Sequence, residues 1–144
     1  MEKTNKNIKL LKLWTPVVIW MILIFLMSNR TSLKASYFDP LDFVIKKTAH
    51  VTEYAILLIL LFRAFYQSWR KKFDINKLEN YAIIITQIYA ISDEWHQSHI
   101  AGRTATIRDM FIDFVGVMIG VIIIKLIKEH KKLVTVKKLI YGSN

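Results

Sequence analysis

Four long apolar blocks run through the chain, and the charges are displaced to their ends. A water-soluble domain rarely keeps its apolar residues in runs of this length. Helices that cross a lipid bilayer require them, because a hydrocarbon core of about 30 Å takes roughly 17–25 residues of helix. The blocks span about Leu10 to Ser28, Ala49 to Phe65, Leu78 to Trp95 and Phe111 to Ile127. The second and third reach that length only when their polar ends are counted. The expectation is an all-α fold: one domain over residues 1–144, a four-helix transmembrane bundle, and a basic tail over 128–144.

Composition supports this layout. The chain is 53% hydrophobic yet carries a formal charge of +10. It has four glycines and two prolines, as expected of helices with short connections, and no cysteine. Thiolate metal sites, disulfides and cysteine nucleophiles are therefore excluded. The first block follows a basic leader, but its apolar stretch exceeds the 7–15 residues usual for a signal peptide and no A-x-A site follows it. It is expected to be a retained anchor.

Lysine and arginine placement sets the expected orientation. Lys3, Lys6, Lys9 and Lys12 lie at the N-terminal end of block one. Arg70, Lys71, Lys72 and Lys77 lie between blocks two and three, and Lys125 through Lys138 run from the end of block four into the C-terminus. The other two connections carry fewer basic residues and contain acids. Both termini are thus expected in the cytoplasm, with the polar connections outside. The Lys125–Lys138 stretch alternates basic and aliphatic residues, which suits an anchor on anionic lipid.

The chemistry is concentrated at the block ends that this topology places outside. Lys47, His50, Glu53 and Tyr54 open block two, Asp93, Glu94, His96 and Gln97 close block three, and Arg103, Arg108, Asp109 and Asp113 lead into block four. Ionisable groups at membrane depth cost roughly 2.5–3.5 kcal/mol each on insertion scales, so such a cluster suggests a polar site.

In block four, Asp109, Asp113, Gly116 and Gly120 share one helical stripe. The G-x-x-x-G pair lets another helix approach closely. Thr106 and Asp109 have capping-box spacing, so Asp109 has a structural reading beside the functional one. Asp113 lies a turn deeper, where capping explains it poorly. Block three carries a stripe of Thr86, Ala90, Asp93 and Gln97, expected to face protein or water. Interhelical hydrogen bonding accounts for Thr86 and Gln87. It accounts less well for adjacent Asp93 and Glu94, which repel unless a cation or proton joins them. His50 has Glu53 and Tyr54 within reach on its own helix, and acid–base, ligand and structural roles are all open to it. Arg103 and Arg108 suit either phosphate or a neighbouring carboxylate.

Other matches carry no weight. Asp93-Glu94-Trp95-His96 spells a helicase-like D-E-x-H, but no phosphate-binding glycine loop is present. No H-E-x-x-H pair occurs. The basic residues follow membrane edges and form no nucleic-acid recognition face. Neither a cofactor nor a particular metal is indicated by ligand spacing, and the oligomeric state is open.

Three stretches taken in order are similar to the VanZ-like family of small bacterial membrane proteins: Lys47-Thr-Ala-His50-Val-Thr-Glu53-Tyr54, Ser92-Asp93-Glu94-Trp-His96-Gln97 and Gly102-Arg103-Thr-Ala-Thr106-Ile-Arg-Asp109. The resemblance covers roughly Trp14 to Ile124 and includes a serine-rich turn, Ser28-Asn29-Arg30-Thr31-Ser32. Where the family often has proline before Gly-Arg, this chain has Ala101. Where the family often has asparagine, it has Asp113. The resemblance implies a multi-pass cell-envelope protein, in a family named for low-level resistance to glycopeptide antibiotics such as teicoplanin.

Residues and resemblance together give two expectations. In one, His50, Glu53, Asp93, Glu94 and Asp109 carry catalysis on a lipid or lipid-linked cell-wall precursor headgroup. Lys47, Tyr54, His96, Gln97, Arg103 and Asp113 then bind that headgroup. In the other, the same cluster is a non-catalytic module that binds a headgroup, an antibiotic or a partner membrane protein. Membrane lipids are expected partners in both, and nucleic acid in neither.

Overall fold

A computed structural model of the chain describes residues 2–29, 40–100, 106–130 and 133–142. It is all-helical, with α1 at Glu2–Ser28, α2 at Pro40–Trp69, α3 at Ile75–Gln97, α4 at Ile107–Glu129 and α5 at Val134–Tyr141. Each long helix exceeds its apolar block because hydropathy marks only the part suited to hydrocarbon, whereas backbone bonding continues into the charged flanks. The basic tail contributes α5, a short helix that apolar counting does not reveal.

Helix ends follow local chemistry. The Asp74 carboxylate accepts the Asn76 backbone N–H at 3.0 Å and opens α3. Gly142 closes α5 at φ +82°, a conformation that side chains with a Cβ adopt only with strain.

Helix α2 is the hub and touches the other four helices. Its Tyr54, Leu57, Leu58, Leu61 and Phe62 are buried. Side-chain pairings give the relative directions. Trp14 of α1 reaches Ser68 of α2 through Nε1 at 3.3 Å, while Trp20 donates to the Glu53 carbonyl at 3.0 Å, so α1 and α2 run antiparallel. Phe65 meets Tyr81 near one end of α3 and Tyr54 meets Asp93 near the other, so α2 and α3 are also antiparallel.

Helix α4 runs parallel to α2. A Cβ on Gly116 would lie 2.5 Å from the Val51 carbonyl oxygen, and one on Gly120 would lie 2.8 Å from Leu58 Cδ2 and 3.0 Å from the Ala55 oxygen. The G-x-x-x-G pair therefore marks the α2–α4 seam, where the absence of side chains lets the two backbones meet.

Helix α5 folds back onto the distal half of α2. Arg63 Nε and Gln67 Nε2 donate to the Leu139 carbonyl at 2.9 and 2.8 Å, and Gln67 Nε2 also donates to that of Ile140 at 2.9 Å. Tyr141 packs edge-on against Phe62 and Tyr66.

The outer surface is apolar where a soluble bundle would be charged. Val18, Ile19, Ile22 and Leu26 of α1 are exposed, as are Phe114, Val115, Met118 and Ile122 of α4. Among the described residues, three helices are long and apolar enough to cross a membrane, over Asn7–Ser28, Val44–Trp69 and Ile107–Glu129. The remaining long helix, α3, is as long as α4 but less apolar, in keeping with its polar stripe.

Candidate functional site

The polar residues gather at one end of the bundle, where α1 and α3 finish and α2 and α4 begin. Because α2 and α4 are parallel, their acidic and basic first turns come level, and the antiparallel α3 brings Asp93 and Glu94 to the same height. The opposite end holds the start of α1, the α2–α3 turn and α5. The cluster forms three layers.

Nearest the rim, Lys47 Nζ donates to Asp109 Oδ1. The other Asp109 oxygen accepts the Thr106 backbone N–H at 3.2 Å and the Thr106 hydroxyl at 2.8 Å. Asp109 thus serves the start of α4 and an ion pair with α2. The capping reading of its spacing describes its contacts.

The middle layer is different. His50 of α2, Glu94 of α3 and Asp113 of α4 each present one ligand-type atom, and these atoms lie within 4.8 Å of one another. His50 Nδ1 is 3.3 Å from Asp113 Oδ1, close but not aligned as a hydrogen bond. Glu94 is 2% exposed and Asp113 is 1% exposed. His50 Nδ1, Glu94 Oε2 and both Asp113 oxygens are buried with no hydrogen-bond partner. Buried polar atoms nearly always have partners, so four orphans in one spot single it out. At 1.5 Å per residue Asp113 lies roughly 9 Å along α4 from its first residue.

The third layer is satisfied on one side. Asp93 Oδ2 accepts from the Ser28 hydroxyl at 2.8 Å, the Tyr54 hydroxyl at 3.0 Å and Gln97 Nε2 at 2.8 Å. Gln97 Nε2 also reaches Ser28 Oγ at 3.1 Å. Consecutive helical residues point about 100° apart, so Asp93 turns to α1 and α2 while Glu94 turns to His50 and Asp113. The adjacent carboxylates that spacing left unexplained occupy separate environments. Tyr54 links the layers, because its ring also stacks near His50 at 6.3 Å between centroids.

The remaining expected residues lie outside this group of three. Glu53 is buried, and its backbone carbonyl is the acceptor for Trp20. The close carboxylate beside His50 is Asp113 rather than Glu53. His96 lies at the rim, 2.9 Å from Asn29 Oδ1 and against the Phe25 ring. Arg108 is exposed on the first turn of α4. Arg103 lies outside the described residues, with Ala101, Gly102, Arg30, Thr31 and Ser32. Ser28 was visible in sequence only as part of a turn, and its role as a donor to Asp93 appears once α1 is packed.

The family model described as VanZ/LLP1 matches residues 11–128. The chain belongs to the VanZ/LLP1 family. No curated protein and no solved structure gives a significant match. The matched region takes in most of α1, all of α2 and α3, nearly all of α4 and every residue of the three layers, so the cluster is part of the VanZ/LLP1 domain itself. The first nine residues of α1, Glu129 and α5 lie beyond it.

Proposed function

We propose that this VanZ-like membrane protein crosses the bilayer four times, keeps both termini in the cytoplasm, and carries out acid–base chemistry on a phosphate-bearing headgroup at its outer rim. The headgroup belongs to a lipid or a lipid-linked cell-wall precursor.

Parallel packing of α2 and α4 supports the fourth crossing. Two successive spans that point the same way need a return, and α3 supplies one of 23 residues, roughly 34 Å. Its outward face, with Ile84, Ile85, Ile88 and Ile91 exposed, suits lipid. The basic α2–α3 turn and α5 share the end opposite the cluster, which the positive-inside rule assigns to the cytoplasm.

The observation that carries the chemical reading is the convergence of His50, Glu94 and Asp113 with orphaned acceptor atoms. An imidazole and two carboxylates can take up and release protons, and Glu94 and Asp113 are shielded from bulk water. Asp93 then serves as scaffold, and Lys47 provides positive charge at the mouth. A link to teicoplanin tolerance belongs to this reading, through headgroups exposed on the outer leaflet.

The test uses the purified full chain in vesicles containing a lipid-linked cell-wall precursor and phospholipids, with headgroup products followed by mass spectrometry. Turnover by the wild type that His50→Ala and Glu94→Gln abolish, at unchanged helical content, supports catalysis. Binding without turnover, retained in Glu94→Asp, favours the non-catalytic module.

A further inference from the structure

We propose that His50, Glu94 and Asp113 form a binding site for one divalent transition-metal ion of the zinc class. The proposal goes beyond the headgroup reading and stands whichever headgroup the rim meets.

The donor set is mixed, one imidazole nitrogen and two carboxylates, which is the chemistry that Zn²⁺ and its neighbours accept and that Mg²⁺ or Ca²⁺ seldom shares. The three donors come from three different helices, so they surround a point instead of lining one helix face. The spacing fits. Tetrahedral Zn²⁺ with bonds of about 2.0–2.1 Å holds neighbouring ligand atoms roughly 3.3 Å apart. His50 Nδ1 and Asp113 Oδ1 are 3.3 Å apart.

The hydrogen-bond census points the same way. Asp109 and the Oδ2 atom of Asp93 are supplied with donors by Lys47, Thr106, Ser28, Tyr54 and Gln97. Glu94 Oε2 and both Asp113 oxygens receive none, although all are buried, and Asp93 Oδ1 beside them is likewise without a partner. A cation would satisfy several such acceptors at once. Charge supports this too: two carboxylates and a neutral imidazole around a divalent ion sum to zero, the state a low-dielectric interior favours. Three protein ligands leave a coordination position open, as catalytic zinc sites do and structural ones do not. That position would accept water or an oxygen of a phosphate-bearing ligand.

The experiment uses the full-length chain purified in detergent, stripped with a chelator and titrated with Zn²⁺ against a chromophoric competitor. The expected result is one Zn²⁺ per chain. His50→Ala, Glu94→Gln and Asp113→Asn should each weaken binding beyond the roughly 10–100-fold typical of changes around a ligand shell. His99→Ala and His130→Ala should leave it unchanged. Co²⁺ titrated into wild-type protein should give visible absorption bands of a low-coordinate site, a readout independent of whether any variant folds. Absence of Zn²⁺ binding, binding undiminished in Glu94→Gln, or loss in His99→Ala overturns the proposal. Headgroup turnover by a chain that binds no Zn²⁺ also overturns it, while leaving the acid–base reading in place. Zn²⁺ bound with no turnover supports the metal site and removes the enzymatic reading.

Discussion

The α-carbon of Gly116 faces the backbone of Val51 so closely that an added methyl group would sit 2.5 Å from a carbonyl oxygen. The neighbour is backbone in α2 and has no side-chain rotamer with which to retreat. At Gly120 the nearest obstacle is Leu58 Cδ2, the far end of a flexible side chain, with the Ala55 oxygen at 3.0 Å. Gly116→Ala should therefore be the more damaging change, by about 1–3 kcal/mol, the usual cost of overpacking. Thermal unfolding of both variants in detergent checks the order. A Gly120→Ala protein less stable than Gly116→Ala would contradict the seam described here.

Tyr54 and Asp93 are buried partners on different helices. Tyr54→Phe keeps the ring and removes one of three donors to Asp93 Oδ2. A loss of about 1–3 kcal/mol is expected, the cost of leaving a buried acceptor short of a partner. The same substitution in an Asp93→Asn background should cost much less, because the charge it serves is gone. A double-mutant cycle measures the coupling, and additive losses would place the two side chains apart.

The Lys47–Asp109 pair is largely shielded from solvent. Lys47 retains 24% side-chain exposure and Asp109 retains 9%, so salt screens the attraction only in part. Lys47→Met leaves the Asp109 carboxylate short of a donor and should cost about 1–3 kcal/mol. Asp109→Ala also removes the Thr106 contacts and should cost about 1 kcal/mol more than Lys47→Met, as loss of a helix cap does. Chemical unfolding at two salt concentrations separates the contributions.

Gln67 ties α5 to α2 by donating to the Leu139 and Ile140 carbonyls. Gln67→Ala should release the short helix without unfolding the bundle. Limited trypsin digestion would then cut after Lys137 and Lys138 faster than in wild type, while the helical signal of the remainder is retained. Equal cutting rates would mean that Arg63, Arg70 and the apolar packing of Ile140 and Tyr141 hold α5 without Gln67.

Much of this was legible in the chain. The apolar blocks marked the four long helices, because hydropathy and helical period act over many residues at once. The G-x-x-x-G stripe identified the face of α4 that meets a neighbour, and Thr106 with Asp109 gave the cap, since each depends on spacing within one helix. What could not be read was which helix lay opposite. That His50 meets Asp113 and not Glu53 depends on α2 and α4 running parallel, which no local pattern encodes. The separate environments of Asp93 and Glu94 required knowing what lay on each side of α3. Helix α5 was hidden because eight residues are too few to establish a period, and their docking depends on Arg63 and Gln67 far back in the chain.

The distribution of His50, Glu94 and Asp113 over three helices has a practical consequence. A break in the exposed turn between Trp69 and Ile75 would leave the imidazole on one fragment and both carboxylates on the other. Neither piece could rebuild the trio alone, because each keeps only two of the four long helices. Recovery of the trio on co-expression would therefore report the reunion of two complementary fragments.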